Sequence, residues 1–216
     1  MYSIEELDEK SLTSEQAIDY SSKWIKNQNG ENALIVIAGP SCSGKSTLAD
    51  KLRIKEMFSA VIIQADDYFR DVDDPAIPRS DNKPLFDHPG AYCQEEMLKD
   101  IVDLVIYSKS ISTPKYDIAT NKRMKGKIIV TPHKVVIFEG LFAISEIMNI
   151  RDRFKALLFV YVDADYDIRL KRRTDRDEEF IHDTELIEKL FKEVAEKSYE
   201  EYGNSQINSA DLIVYS

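Results

Sequence analysis

Two textures alternate along this chain. Short runs are apolar at nearly every position, while longer stretches are apolar at every third or fourth. Runs of the first kind are Ala33–Ala38 (ALIVIA), Ala60–Gln64, Val135–Glu139, Leu157–Val162 and Leu212–Tyr215. Their length and their Val/Ile content predict strands buried on both faces. Stretches of the second kind are Ser46–Met57, Ala91–Tyr107 and Thr184–Tyr202, whose spacing predicts helices, and the charged stretch Asp165–Arg176 reads as a further helix. Strands alternating with helices predict an α/β domain: a mainly parallel sheet flanked by helices on both faces, three layers in all. Ligands of such sheets bind beyond the carboxyl ends of the strands. The turns after Ala38, Gln64 and Glu139 therefore surround one crevice.

Residues 1–32 precede this alternation and read as a helical extension, with residues 33–216 as the domain proper. Thr13-Ser14-Glu15-Gln16 has the form of a capping box. Ala17, Tyr20 and Trp24 follow at helical spacing, and Asn29-Gly30 supplies a stop. The expected role of this helix is to pack on the core. Two stretches fall outside the scheme. Asp71–Pro89 is rich in Asp and Pro and reads as loop; Thr113–Lys127 mixes Pro, Tyr and basic residues and reads as a hairpin or an excursion over the crevice.

The first strand and helix are joined by Gly39-Pro40-Ser41-Cys42-Ser43-Gly44-Lys45-Ser46, followed by Thr47. This matches G-x-x-x-x-G-K-[ST], and the strand before and helix after are the context that gives the pattern meaning. Glycines let the loop turn its backbone N–H groups inward at phosphate oxygens. The following helix adds its positive N-terminal end. Lys45 can reach the β- and γ-phosphates, and the Ser46 hydroxyl can ligate Mg²⁺. Cys42 reads as a small loop residue. The fold class is then a three-layer P-loop NTPase fold.

Acids at neighbouring strand ends narrow the chemistry. Asp66 and Asp67 follow the second strand, where a carboxylate can take the proton of an attacking hydroxyl; a turn-capping role is the alternative. Glu139 ends the VVIFE strand, where it would help Ser46 hold magnesium. Arg169, Arg172, Arg173 and Arg176 share one helix face, and a polyphosphate is a natural partner for four guanidiniums. Pairing with the interleaved Asp165, Asp167, Asp175 and Asp177 is the competing use. A GTPase would need N-K-x-D, and Asn121-Lys122-Arg123-Met124 lacks the Asp. Asp87-His88-Pro89-Gly90 spells D-x-x-G with no strand before it.

A net charge of -10 over 216 residues argues against general binding to DNA or RNA. No run is apolar enough to span a bilayer. The acidic start, Met1 to Glu6, is unlike a secretory signal. Cys42 and Cys93 form neither a disulfide framework nor a metal cluster. A cytoplasmic enzyme acting on a small molecule is the expectation.

Several ordered segments together resemble the uridine kinase branch of the phosphoribulokinase/uridine kinase family. They are GPSCSGKST, QADDYFR, Phe86-Asp87-His88-Pro89, Pro114-Lys115-Tyr116-Asp117, VVIFEGLFA and RLKRRTDRD. The resemblance implies phosphorylation of a ribonucleoside 5′-hydroxyl by ATP or GTP with Mg²⁺. It implies Asp66 as base, Asp87 on the ribose hydroxyls and Tyr116 against the nucleobase. It also implies Tyr68, Phe86, His88, Asn121 and Arg169 near the nucleoside, and Arg172, Arg173 and Arg176 on the phosphate side. Members of the family often assemble as homo-oligomers. Two departures bear on the acceptor. Glu178-Glu179-Phe180-Ile181-His182 stands where the family continues E-R-G-R, and Asn121 stands where it often has His. Another metabolite alcohol as acceptor, or a nucleotide-binding regulator with little catalysis, are the alternatives to a nucleoside kinase.

Overall fold

The computed structural model describes residues 11–56, 60–124 and 126–216. The acidic start and the expected helix end at Met57 lie outside them. Six parallel strands form one sheet in the order β1-β12-β11-β2-β10-β3. These are β1 (Ser11–Thr13), β2 (Ala33–Ala38), β3 (Ala60–Gln64), β10 (Val135–Glu139), β11 (Ala156–Asp163) and β12 (Leu212–Tyr215). The numbers between belong to three two-stranded pieces outside the sheet: β4 (Arg79–Ser80) with β5 (Lys83–Pro84), β6 (Ile111–Thr113) with β9 (Ile128–Val130), and β7 (Tyr116–Asp117) with β8 (Lys122–Arg123).

The central strand β2 is buried at every position because alternate side chains serve two cores. Leu34, Val36 and Ala38 face one core with Tyr68, Met97, Ile101 and Phe138, closed by α3 (Gln94–Val105) and α4 (Ala143–Met148). Ile35 and Ile37 face the other with Leu48, Leu52 and Val160, closed by α1 (Ser14–Lys26) and α2 (Lys45–Lys55). This is the expected three-layer arrangement.

Four local features differ from the sequence reading or sharpen it. Residues before α1 were expected to be helix alone, but Ser11–Thr13 pairs in parallel with Ile213–Tyr215 and extends the sheet edge. The capping box forms as expected, with Gln16 N–H on Thr13 Oγ1 and Thr13 N–H on Gln16 Oε1. This segment thus adds an edge to the sheet that residues 33–216 build. The stretch 111–130 is a hairpin, pairing first as β6/β9 and then as β7/β8. The long helix expected over Thr184–Tyr202 is α6 (Thr184–Leu190), a π-helical segment (Phe191–Glu196) and α7 (Lys197–Tyr202). The arginine-bearing helix is α5 (Tyr166–Asp177).

Candidate active site

The cradle opens where β2 ends. Gly39 has φ 147° and a Cβ there would run into the Val162 carbonyl oxygen, so only glycine fits. Cys42 and Gly44 also adopt positive φ, which bends the loop around its own backbone N–H groups. Helix α2 starts from Gly44 with no side-chain cap, leaving its first amides for an outside anion. Ser43 Oγ is buried without a partner. Lys45 reaches back, its Nζ donating to Pro40 O at 2.8 Å. Burial lowers the Lys45 pKa, and the Glu139 and Asp66 carboxylates oppose that. Thr47 is exposed in the first turn of α2.

Parallel register brings the acids in. Glu139 on β10 lies level with Ile37 on β2 and Gln64 on β3. Glu139 is 6% exposed and its Oε1 accepts from Ser46 Oγ at 2.9 Å and Gln64 Nε2 at 3.2 Å. At Gly140 a Cβ would collide with Ala65, so β10 and the turn after β3 approach closely. That turn is a 3₁₀ helix, Ala65–Tyr68, carrying both aspartates. They separate. Asp67 pairs with Lys115 at 3.0 Å and accepts the Tyr116 N–H, so it anchors the hairpin. Among the described residues no hydrogen bond reaches the Asp66 carboxylate. Burial, then the Glu139 charge, push its pKa up to about 6, with Lys45 opposing. Asp66 is nonetheless accessible from the crevice mouth. Water there screens it, so the full shift belongs to a site sealed by substrate.

Asp87 lies across the crevice. Burial raises its pKa, while Arg173 and Arg176 draw it back down. Beside these acids stands an aromatic box. Phe69 stacks on Tyr92 with centroids 4.5 Å apart, and Phe86 and Tyr116 meet Phe69 at 5.5 and 5.3 Å. Tyr116 is 8% exposed, its hydroxyl is buried without a partner, and burial pushes its pKa up to about 12. Above the cradle, Arg172 donates to Cys42 O and Arg173 to Ser41 Oγ, both at 3.2 Å. Asp177 holds Arg173 and Arg176 together.

Other expected residues lie elsewhere. Tyr68 is 0% exposed and donates to Asp100 at 2.9 Å in the core; its neighbour Phe69 faces the box instead. Arg169 turns away from the cradle and forms a two-pronged pair with Glu196 at 2.6 and 2.7 Å. His88 accepts the Gly90 N–H and packs its edge on Tyr202. Asn121 sits at φ 52° in the β7/β8 turn, where its backbone oxygen accepts from Val72. The sequence reading omitted Gln64, Phe69 and Tyr92. Gln64 could have been found as the polar strand end in register with Glu139. Tyr92 gives no such signal, because only the bridge Phe69↔Tyr92 brings it in.

A phosphate cradle, an unpaired carboxylate at the next strand tip and arginines overhead define a P-loop phosphotransferase. The chain belongs to the phosphoribulokinase/uridine kinase family, whose model matches residues 34–216. It is 31% identical over 186 residues to the uridine kinase of Mycoplasma pneumoniae, covering 84% of each chain. It is 33% identical over 143 residues to that of Halobacterium salinarum, covering 66% of this chain and 61% of that one. A solved structure from Bacillus stearothermophilus, described as a possible uridine kinase, shares the fold with TM-score 0.63 at 19% identity, over 93% of this chain and 98% of that one. The protein is a kinase with a P-loop nucleotide site. No helix among the described residues is long and apolar enough to cross a membrane.

Proposed function

We propose that this enzyme transfers the γ-phosphate of ATP to the 5′-hydroxyl of a nucleoside. The observation that carries the reading is the Asp66 carboxylate, unpaired between the Lys45 cradle and the aromatic box. In the reaction Asp66 takes the hydroxyl proton, the alkoxide oxygen bonds to Pγ, and the bond from Pγ to the β,γ-bridging oxygen breaks to release ADP. Lys45 and the α2 amides hold the phosphates, and Arg172, Arg173 and Arg176 spread the charge that develops. Asp87 would bind the ribose hydroxyls, and the box would hold the base, with the buried Tyr116 hydroxyl offered to it.

Ser46 and Glu139 fit Mg²⁺: two oxygen ligands 2.9 Å apart beside the cradle, to which water and phosphate oxygens would add. The ion would neutralise charge on the β- and γ-phosphates.

A second reading, an acceptor that is itself anionic such as a sugar phosphate, is less well supported. The acceptor side gathers Asp66, Asp87 and Glu139, while its nearby cations are committed. Lys115 pairs with Asp67, Arg123 with Glu96 and Arg169 with Glu196.

ADP release with ATP or GTP, measured across uridine, cytidine, other ribosides and sugar phosphates, tests the reading. Ribosides should turn over and sugar phosphates should not. Asp66→Asn should lower kcat by about 10²–10⁴-fold while leaving ATP affinity near wild type. A wild-type rate in that variant would remove Asp66 as the base. ATP binding with no turnover on any acceptor would favour a regulator instead.

A further inference from the structure

Helix α5 carries three guanidiniums over the cradle, but its first arginine does something else. Arg169 and Glu196 are only 9% and 17% exposed at their side chains, and Arg169 Nε also donates to Ala164 O at 3.0 Å. The rings of Tyr166 and Phe191 lie 6.0 and 5.6 Å from the guanidinium. The base of the arginine helix is therefore clamped to the segment that contains Glu196.

That segment has an unusual geometry. Glu196 is the last residue of the π-helical stretch Phe191–Glu196, set between two α-helical pieces. A π segment changes the angular phase of the helix and often marks a functional position. Two residues on, Ser198 donates its hydroxyl to the backbone oxygen of Asp87. Residues two apart on a helix point to nearly opposite sides. One short piece of helix thus holds α5 on one flank and the Asp87 loop on the other. Tyr199, 3.1 Å from the Tyr161 hydroxyl on β11, fixes that piece to the sheet, and Gly203 packs flush on the Tyr199 ring.

We infer that Glu196 and Ser198 form a strut that sets the arginine helix and the Asp87 loop relative to one another, coupling the nucleotide and acceptor halves of the site. Both are positioning residues. The inference rests on the proposed function in taking the α5 arginines as nucleotide contacts and Asp87 as an acceptor contact.

Calorimetric titration of a non-hydrolysable ATP analogue, alone and with saturating uridine, tests it on wild type, Glu196→Gln and Ser198→Ala. Wild type should bind the analogue about 10-fold tighter with uridine present, and both variants should lose that gain. Glu196→Gln should also bind the analogue about 10-fold more weakly by itself. Ser198→Ala should raise the uridine KM several-fold and leave the affinity for the analogue alone unchanged. A merely structural role would lower the melting temperature and leave these constants untouched in the folded protein; that result overturns the strut. If Glu196→Gln does not fold, Ser198→Ala decides, since it removes one hydroxyl. If wild type uses no nucleoside, the functional reading fails separately, and the analogue's affinity for Glu196→Gln still tests the clamp: unchanged affinity overturns it.

Discussion

At Asp66 one carboxylate sits beside another, Glu139, and both stand near a lysine. Burial and the Glu139 charge raise the Asp66 pKa above the ordinary carboxylate value of 3.8, up to about 6 once substrate seals the site. The folded state therefore holds this proton more tightly than the unfolded chain does. Ionising Asp66 weakens the fold progressively as pH rises from the unfolded value through the raised folded one. Two outcomes follow. The profile of kcat against pH should show an acid limb of unit slope near pH 6, where Asp66 protonates in the sealed site, and the limb of kcat/KM should lie lower. Asp66→Asn should melt above wild type at pH 8, with the difference gone below pH 4; a lower melting point at pH 8 would contradict this account. Gly39→Ala should destabilise by about 3 kcal/mol or more, since it combines strained φ with a clash against Val162 O, and chemical denaturation reads it directly. The cradle, Asp66 and Glu139 were legible in the sequence because a strand end fixes where its next residue points. Tyr68 and Phe69 were not resolved, because the 3₁₀ turn breaks the period-two alternation of the strand just where the two rings occur. The pairing of Arg169, expected near the nucleoside, was hidden for a different reason: its partner Glu196 is 27 residues away and no local spacing signals it.

Elements with strong periodicity were readable, and those defined by a few tertiary contacts were not. Strands β2, β3, β10 and β12 begin and end where the apolar runs do; β2 and β10 are buried at every residue, and β3 and β12 keep enough apolar positions to read the same way. Strand β1 has three residues and exists through its pairing with β12, so no run of apolar positions marks it. The π segment was likewise hidden, since Phe191 and Ala195 are buried at a spacing that an ordinary helix also allows. The capping box is the exception among small features, because its two bonds join residues three apart. Thr13→Ala should cost about 1 kcal/mol, seen as a small fall in melting temperature. An unchanged melting point would mean that α1 is held by packing alone.

For the whole molecule, the all-parallel sheet sends every strand end to the same side, which is how acids from β3 and β10 come to share a crevice with the cradle after β2. The chain is strongly acidic overall, yet it concentrates three arginines over that crevice. They are not idle there. The two oxygens of Asp177 already hold the Nε groups of Arg173 and Arg176, so on the proposed reading a tethered anion competes with an incoming phosphate for them. Nucleotide that binds these arginines would then do so against this resident rival, at an apparent affinity lowered by the fraction of time the arginines are released. The same carboxylate stands ready to reclaim the arginines once a phosphoryl group has left, easing the spent diphosphate out. Asp177→Asn should then hold ADP about 5-fold tighter, read by calorimetry, and should turn over more slowly wherever product departure limits the cycle.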